Sequence, residues 1–244
     1  MKTIGLLGGI TCESSLVYYQ LINELTRARL GGHNSARSVM VSVNFADVQP
    51  LTERGDWKEV LAILLQAAQA IERGGADLLL LCANTAHKLA DEIGRGVGIP
   101  IVHIVDAVAE EIRKTGLRRV GLLGTRFTME EEFFKGRLRD RHGIEALVPE
   151  KEDRQRVHRI IIDELALGVV DPQAEETVWK VIDGLVAAGA QAVILGCTEL
   201  PLLIRHDRGA VPLFDTTTIH ARAAVDLALG QPSGKRQPFV SRGQ

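Results

Sequence analysis

Residues 75–85 read GADLLLLCANT, and residues 189–199 read GAQAVILGCTE. Both open on Gly-Ala, pass through an apolar run, and close near a cysteine followed by small amide, hydroxyl or carboxylate side chains. A run such as LLLL at 78–81 lacks the two-residue alternation of a half-exposed strand. It fits a strand of a parallel sheet buried on both faces. The same strand occurring twice predicts a chain built from two copies of one plan.

The flanking sequence repeats with it. TIGLLGGIT (3–11) matches RVGLLGTRF (119–127), both strand–glycine–turn entries to a helix, and IPIVHIVDA (99–107) resembles VPLFDTTTI (211–219). Apolar strand-length runs fall at 3–7, 39–45, 78–82, 101–105, 120–123, 192–195 and 211–214. Helical apolar stripes fall at 13–30, 57–73, 106–114, 130–140 and 175–188, with Asp56 as an N-cap and Gly74–Gly75 as a stop for the second. The predicted class is α/β: two pseudo-symmetric Rossmann-like units whose parallel central sheets face one cleft. The expected divisions are a first unit over 1–103, a second over 104–215, a C-terminal helix at 216–230 packing back on the first unit, and a tail at 231–244.

Ligands of open parallel sheets bind beyond the carboxyl ends of the strands. The polar stretches GGIT, NFAD, CANT, GTRFT, GCTE and FDTT all fall at such ends. Superposing the repeats sets Cys82 against Gly196, Ala83 against Cys197, Asn84 against Thr198 and Thr85 against Glu199. Successive side chains of a strand point to opposite faces. If Cys197 faces the cleft, its mirror position is therefore Ala83, and Cys82 faces away as a core thiol. Cys197 is the candidate general acid/base, with Thr198 and Glu199 beside it to anchor a small polar ligand. Cys12, in the first turn of the first helix, is assigned a packing role.

Composition narrows the function classes. Of 244 residues, 45% are apolar and 25% charged, with a net charge of −2, the balance of a soluble globular protein. Aromatics make up only 4%, so no stacking or basic surface for nucleic acid is expected. No apolar run reaches the roughly 18 residues of a membrane span. MKTIGLLGGITCE is read as a strand rather than a signal peptide, and three cysteines without framework spacing point to the cytoplasm. GLLGGI lacks the spacing of a dinucleotide turn, and the seven histidines show no metal-ligand spacing. His87 is expected to orient backbone or carboxylate groups.

KTIGLLGGIT followed by ES, then ANTAHK, GLLGTRFTM, GCTELPLL and PLFDTTTIHA, in that order, resemble the aspartate/glutamate racemase family over nearly the whole chain. The resemblance implies a cofactor-independent amino-acid racemase, without metal or pyridoxal phosphate, and an apolar outer helix face in the sequence points separately to a homodimer. It implies a cleft between two units where one thiolate removes the α-proton and a thiol on the opposite face returns one. Carried onto this sequence, the catalytic set is Cys197, Glu199 and the position of Ala83. The substrate-binding set is Gly9, Ile10, Thr11, Arg54, Asn84, Thr85, Thr125, Thr128 and Thr198.

The sequence departs from that pattern twice. Where the family has cysteine before Asn-Thr, this chain has Ala83, which can neither give nor take a proton. Where aspartate-specific members place basic residues for the distal carboxylate, it has Ala166 and, near 48, Val48, with Arg54 and Arg126 the nearest replacements. The expected activity is a direction-biased racemase of aspartate or glutamate, or of a broader amino-acid range. The alternatives are a single-cysteine decarboxylase or isomerase of a small carboxylic acid, and an amino-acid binding protein that has lost catalysis.

Overall fold

The computed structural model describes residues 1–204 and 211–230. The first half runs β1 (Ile4–Gly8), α1 (Cys12–Leu30), β2 (Ser38–Ser42), α2 (Phe45–Arg54), α3 (Trp57–Arg73), β3 (Leu78–Leu81), α4 (Ala90–Arg95) and α5 (Ile104–Thr115). The second runs β4 (Arg119–Gly124), α6 (Arg126–Glu130), α7 (Glu132–His142), β5 (Glu145–Leu147), α8 (Lys151–Arg159), α9 (Pro172–Ala187), β6 (Val193–Gly196), α10 (Leu200–Leu203), β7 (Leu213–Asp215) and α11 (Thr216–Ala228). Two parallel sheets result, in the orders β2-β1-β3 and β5-β4-β6-β7. The expected α/β fold with two facing units is what the chain adopts.

The register reproduces the repeat found in the sequence. Gly5 lies beside Leu79 in one sheet and Gly121 beside Val193 in the other. Four residues further along β3 and β6 come Ala83 and Cys197. The fourth strand of the first half shrinks to one bridge, Leu79 to Ile101, whose counterpart is Val193 beside Leu213. The expected strand at 101–105 is therefore absent. His103 accepts from the Val105 N–H at 3.3 Å and opens α5 instead, as Asp215 opens α11 by accepting from Thr217 at 2.9 Å.

These two helices change sides. Ile104, Val105, Val108 and Ile112 of α5 pack with Val120, Leu122 and Ile194 of the second sheet. Ala221, Ala224 and Val225 of α11 pack with Ile4, Leu6 and Leu80 of the first. Each half is thus covered by the helix that follows the other half's last strand, which ties the two together around the cleft.

Several elements depart from their predicted bounds. The run at 39–45 stops at Ser42, because Asn44 caps α2 and Phe45 is already helical. The helix expected at 130–140 is broken at Glu131, whose extended backbone separates α6 from α7. Asp56 does stand at the head of α3, yet it makes no capping bond and instead accepts from Arg54 Nε at 2.9 Å. No helix among the described residues is long and apolar enough to cross a membrane. The tail expected at 231–244 lies outside the described residues.

Candidate active site

The turns that follow β1, β3, β4 and β6 converge on one cavity between the halves. The empty space between its lining atoms, open mouth included, is about 810 Å³. Ile10, Thr11, Ala83, Asn84, Thr85, Thr125, Cys197, Thr198 and Glu199 all line it. Cys82 does not. It packs on the opposite face of β3 with Leu80, Tyr18 and Val225, while Ala83 packs with Leu81 and Leu79. The strand alternation read from the sequence places these side chains correctly.

Glu199 organises the polar floor. Its Oε2 accepts from Cys197 Sγ at 2.9 Å and from the Thr198 hydroxyl at 2.6 Å, while its Oε1 accepts from the Thr11 hydroxyl at 2.8 Å. Thr11 belongs to the first half, so this carboxylate also joins the halves. A second link is the 3.1 Å contact between the Thr85 and Thr125 hydroxyls. Burial pushes the Cys197 thiol well above its ordinary pKa, and the Glu199 carboxylate pushes it further, while the N–H groups of Glu199 and Thr198 pull the other way. At neutral pH Cys197 therefore rests as the protonated thiol. Burial also raises the Cys82 thiol, which makes it an inert core side chain.

Asn84 carries an open valence. Thr216 donates its hydroxyl to the Leu195 carbonyl at 2.9 Å, so its oxygen accepts from Asn84 Nδ2 at 3.0 Å. That fixes the amide orientation and leaves Asn84 Oδ1 buried with no partner among the described residues. Behind the Ala83 turn, the Ile104 N–H donates to His87 Nε2 at 3.2 Å. The proton must then sit on Nδ1, which donates to the Ala83 carbonyl at 3.0 Å. His87 orients backbone, as expected.

Other predicted site residues do not reach the cavity. Arg54 is an exposed side chain paired with Asp56, lining a separate outer groove. Thr128 is fully buried and contacts Thr125 at 3.3 Å, helping to seat α6. Gly9 acts through its backbone: its φ is +90°, and a Cβ would lie 2.0 Å from the Val43 carbonyl oxygen, so only glycine can make this turn. Arg126 sits at the mouth over the Phe127 ring, outside the cavity lining.

The sequence reading missed most of the outer wall. Phe45, Val48 and Gln49 come from α2, and Trp57, Val60 and Leu64 from α3. The second half supplies Phe127, His158, Ile161 and Ile162. Trp57 meets Phe127 edge-on with ring centroids 5.5 Å apart, closing the mouth across the two halves. The 3.6-residue spacing of Trp57, Val60 and Leu64 was visible, but such a stripe reads equally as core.

The Asp/Glu/Hydantoin racemase family matches residues 7–224. The chain belongs to that family. It is 23% identical over 234 residues to the broad specificity amino-acid racemase RacX of Bacillus subtilis, covering 94% of this chain and 100% of that protein. A Yersinia pestis protein solved as a candidate Asp/Glu racemase superposes with a TM-score of 0.87 at 44% identity, over 94% of this chain and 100% of that one. An aspartate racemase homologue from Pyrococcus horikoshii gives 0.81 at 40% identity with the same coverage. The chain thus shares its overall fold with these two solved structures.

Proposed function

We propose that this protein is an amino-acid racemase-type enzyme in which Cys197 alone moves the α-proton. The observation carrying this reading is the pairing of Cys197 with Ala83: matching strand positions, one from each half, lining one cavity. A substrate α-carbon held between them meets a thiol on one face and a methyl group on the other. The α-carboxylate suits a hydroxyl of the Thr85–Thr125 pair, the Thr198 hydroxyl being spent on Glu199, and the α-ammonium suits the unpartnered Asn84 Oδ1.

To act as a base, the thiol passes its proton along its hydrogen bond to Glu199. The thiolate then takes the α-proton, and the electron pair of the broken C–H bond stays on the substrate as a carbanion conjugated with its carboxylate. Where the Cys197 thiol swaps this hydrogen with water before giving one back, return from the same face restores the starting enantiomer with solvent hydrogen, so exchange with retention outruns inversion. Inversion requires a proton from water on the Ala83 side, which the apolar wall disfavours. Three unpaired thiols are consistent with a cytoplasmic protein.

Proton NMR in D₂O tests this with separate enantiomers. The expected result is loss of the α-proton signal from one enantiomer, faster than its inversion, and a loss of about 10³-fold or more in Cys197→Ser. Undiminished exchange in Cys197→Ser would refute it. A second reading rests on the protonated resting state of Cys197: a small malonate-type acid could lose CO₂ by C–C heterolysis, and the thiol would protonate the resulting carbanion. Release of CO₂ from such acids without amino-acid exchange would favour that reading.

A further inference from the structure

We infer that the side-chain pocket of this site selects amino acids with apolar side chains and rejects aspartate and glutamate. The inference deepens the proposed racemase-type reading and rests on it for the position of the α-carbon. Above the polar floor the cavity wall is mostly hydrocarbon, from Phe45, Val48, Val60, Leu64, Ile161 and Ile162 with Trp57 and Phe127 at the mouth, interrupted by Gln49, Thr52 and His158. Among the described residues no lysine or arginine lines it, and Ala166 is the only residue of the 165–167 turn that does. The two charged residues that line it, Glu53 and Glu199, are both acidic.

Among the described residues the nearest cations lie outside the lining. Lys88 forms an ion pair with Glu131, its nitrogen 3.8 Å from the Trp57 ring centre. Arg126 stacks over Phe127 beside the mouth and donates to the Glu53 main-chain carbonyl at 3.4 Å, while among the described residues its Nε is buried without a partner and no carboxylate pairs with it. Arg54 is held by Asp56. A side-chain carboxylate entering the pocket would lose its water, gain no cation, and sit in the field of two glutamates. An isobutyl, thioether or phenyl group would replace water against matching hydrocarbon.

The experiment measures α-proton exchange in D₂O and thermal stabilisation for leucine, methionine, phenylalanine, aspartate and glutamate, each as both enantiomers. The expected result is kcat/KM for at least one apolar amino acid about 10²-fold or more above that for either acidic one. Faster exchange of aspartate or glutamate would overturn the inference while leaving the single-thiol reading intact. If no amino acid exchanges, the single-thiol reading fails, and stabilisation decides the pocket: apolar amino acids stabilising uphold it, whereas acidic ones or none stabilising overturn it. Val48→Arg and, separately, Ala166→Lys place a cation in the wall. Either folded variant should shift the exchange ratio toward aspartate or glutamate by about tenfold or more, and an unchanged ratio in both would count against the assignment of this wall to the side chain.

Discussion

Cys197 donates to Glu199 across 2.9 Å inside the cavity between the halves, and the same carboxylate accepts from Thr198 beside it and from Thr11 in the other half. One side chain thus adds to the effect of burial in keeping the thiol protonated and also holds the cleft together. Replacing Glu199 with glutamine keeps the size and removes the charge. The Cys197 thiol should then titrate at lower pH than in the parent protein, because the carboxylate's field is one of the causes raising it. Exchange should nonetheless fall about 10²-fold, since the proton acceptor is gone. Ultraviolet titration of thiolate, with Cys197→Ser as the reference, reads the first effect and NMR exchange the second. A thiol titrating higher in Glu199→Gln would contradict the assigned role.

Ala83→Cys restores an acid/base on the second face. Inversion relative to exchange with retention should rise by about 10²-fold or more. Chiral chromatography of the product, beside NMR exchange, measures the ratio. No change would mean that position 83 does not face the α-carbon.

Cys82 gives the opposite expectation. Its side chain lies in an apolar layer against Leu80, Tyr18 and Val225, so Cys82→Ser buries a hydroxyl among hydrocarbon. Stability should drop by about 1–3 kcal/mol in urea unfolding, while exchange stays within about twofold of the parent. A large loss of activity without loss of stability would make Cys82 part of the chemistry.

A buried histidine stack predicts acid sensitivity. His220 Nε2 donates to the Val102 carbonyl at 2.7 Å, so its Nδ1 accepts from the Tyr18 hydroxyl at 2.8 Å. His87 lies 5.4 Å away, ring to ring, with His103 on its other side at 4.9 Å. Burial holds His220 down at about 4 and His103 at about 3, and burial with its two histidine neighbours holds His87 well below the usual range. The unfolded chain binds these protons near pH 6.5 while the folded protein does not. Stability is therefore complete above about pH 6.5 and is lost as pH falls toward 4, by about 3 kcal/mol for His220 alone. His220→Gln should flatten that dependence between pH 7 and 4.5, measured by urea midpoints. A parent midpoint that does not move over this interval would contradict it.

The sequence made the repeat legible because glycines and apolar runs recur at nearly constant spacing, and strand alternation carried that as far as the faces of Cys82 and Ala83. It did not make the pocket wall legible. α2 was hidden by Pro50, which ordinarily ends a helix but is carried here in Phe45–Arg54. α8, KEDRQRVHR, has one buried apolar residue, Val157, and so no stripe to read. β5 is only Glu-Ala-Leu, without β-branched or aromatic residues. Arg54 was assigned to substrate from its position alone. Its ion pair with Asp56 depends on a loop conformation that no sequence pattern specifies.

The account stands on one thiol facing one side of the substrate. Its most direct test incubates each enantiomer of a turned-over amino acid with the unmodified protein in D₂O and follows α-deuteration and configuration together. One enantiomer should take up deuterium with its configuration retained, well ahead of inversion, and the other should exchange far more slowly. Rapid deuteration of both enantiomers at comparable rates, with racemic product from the first turnovers, would contradict it.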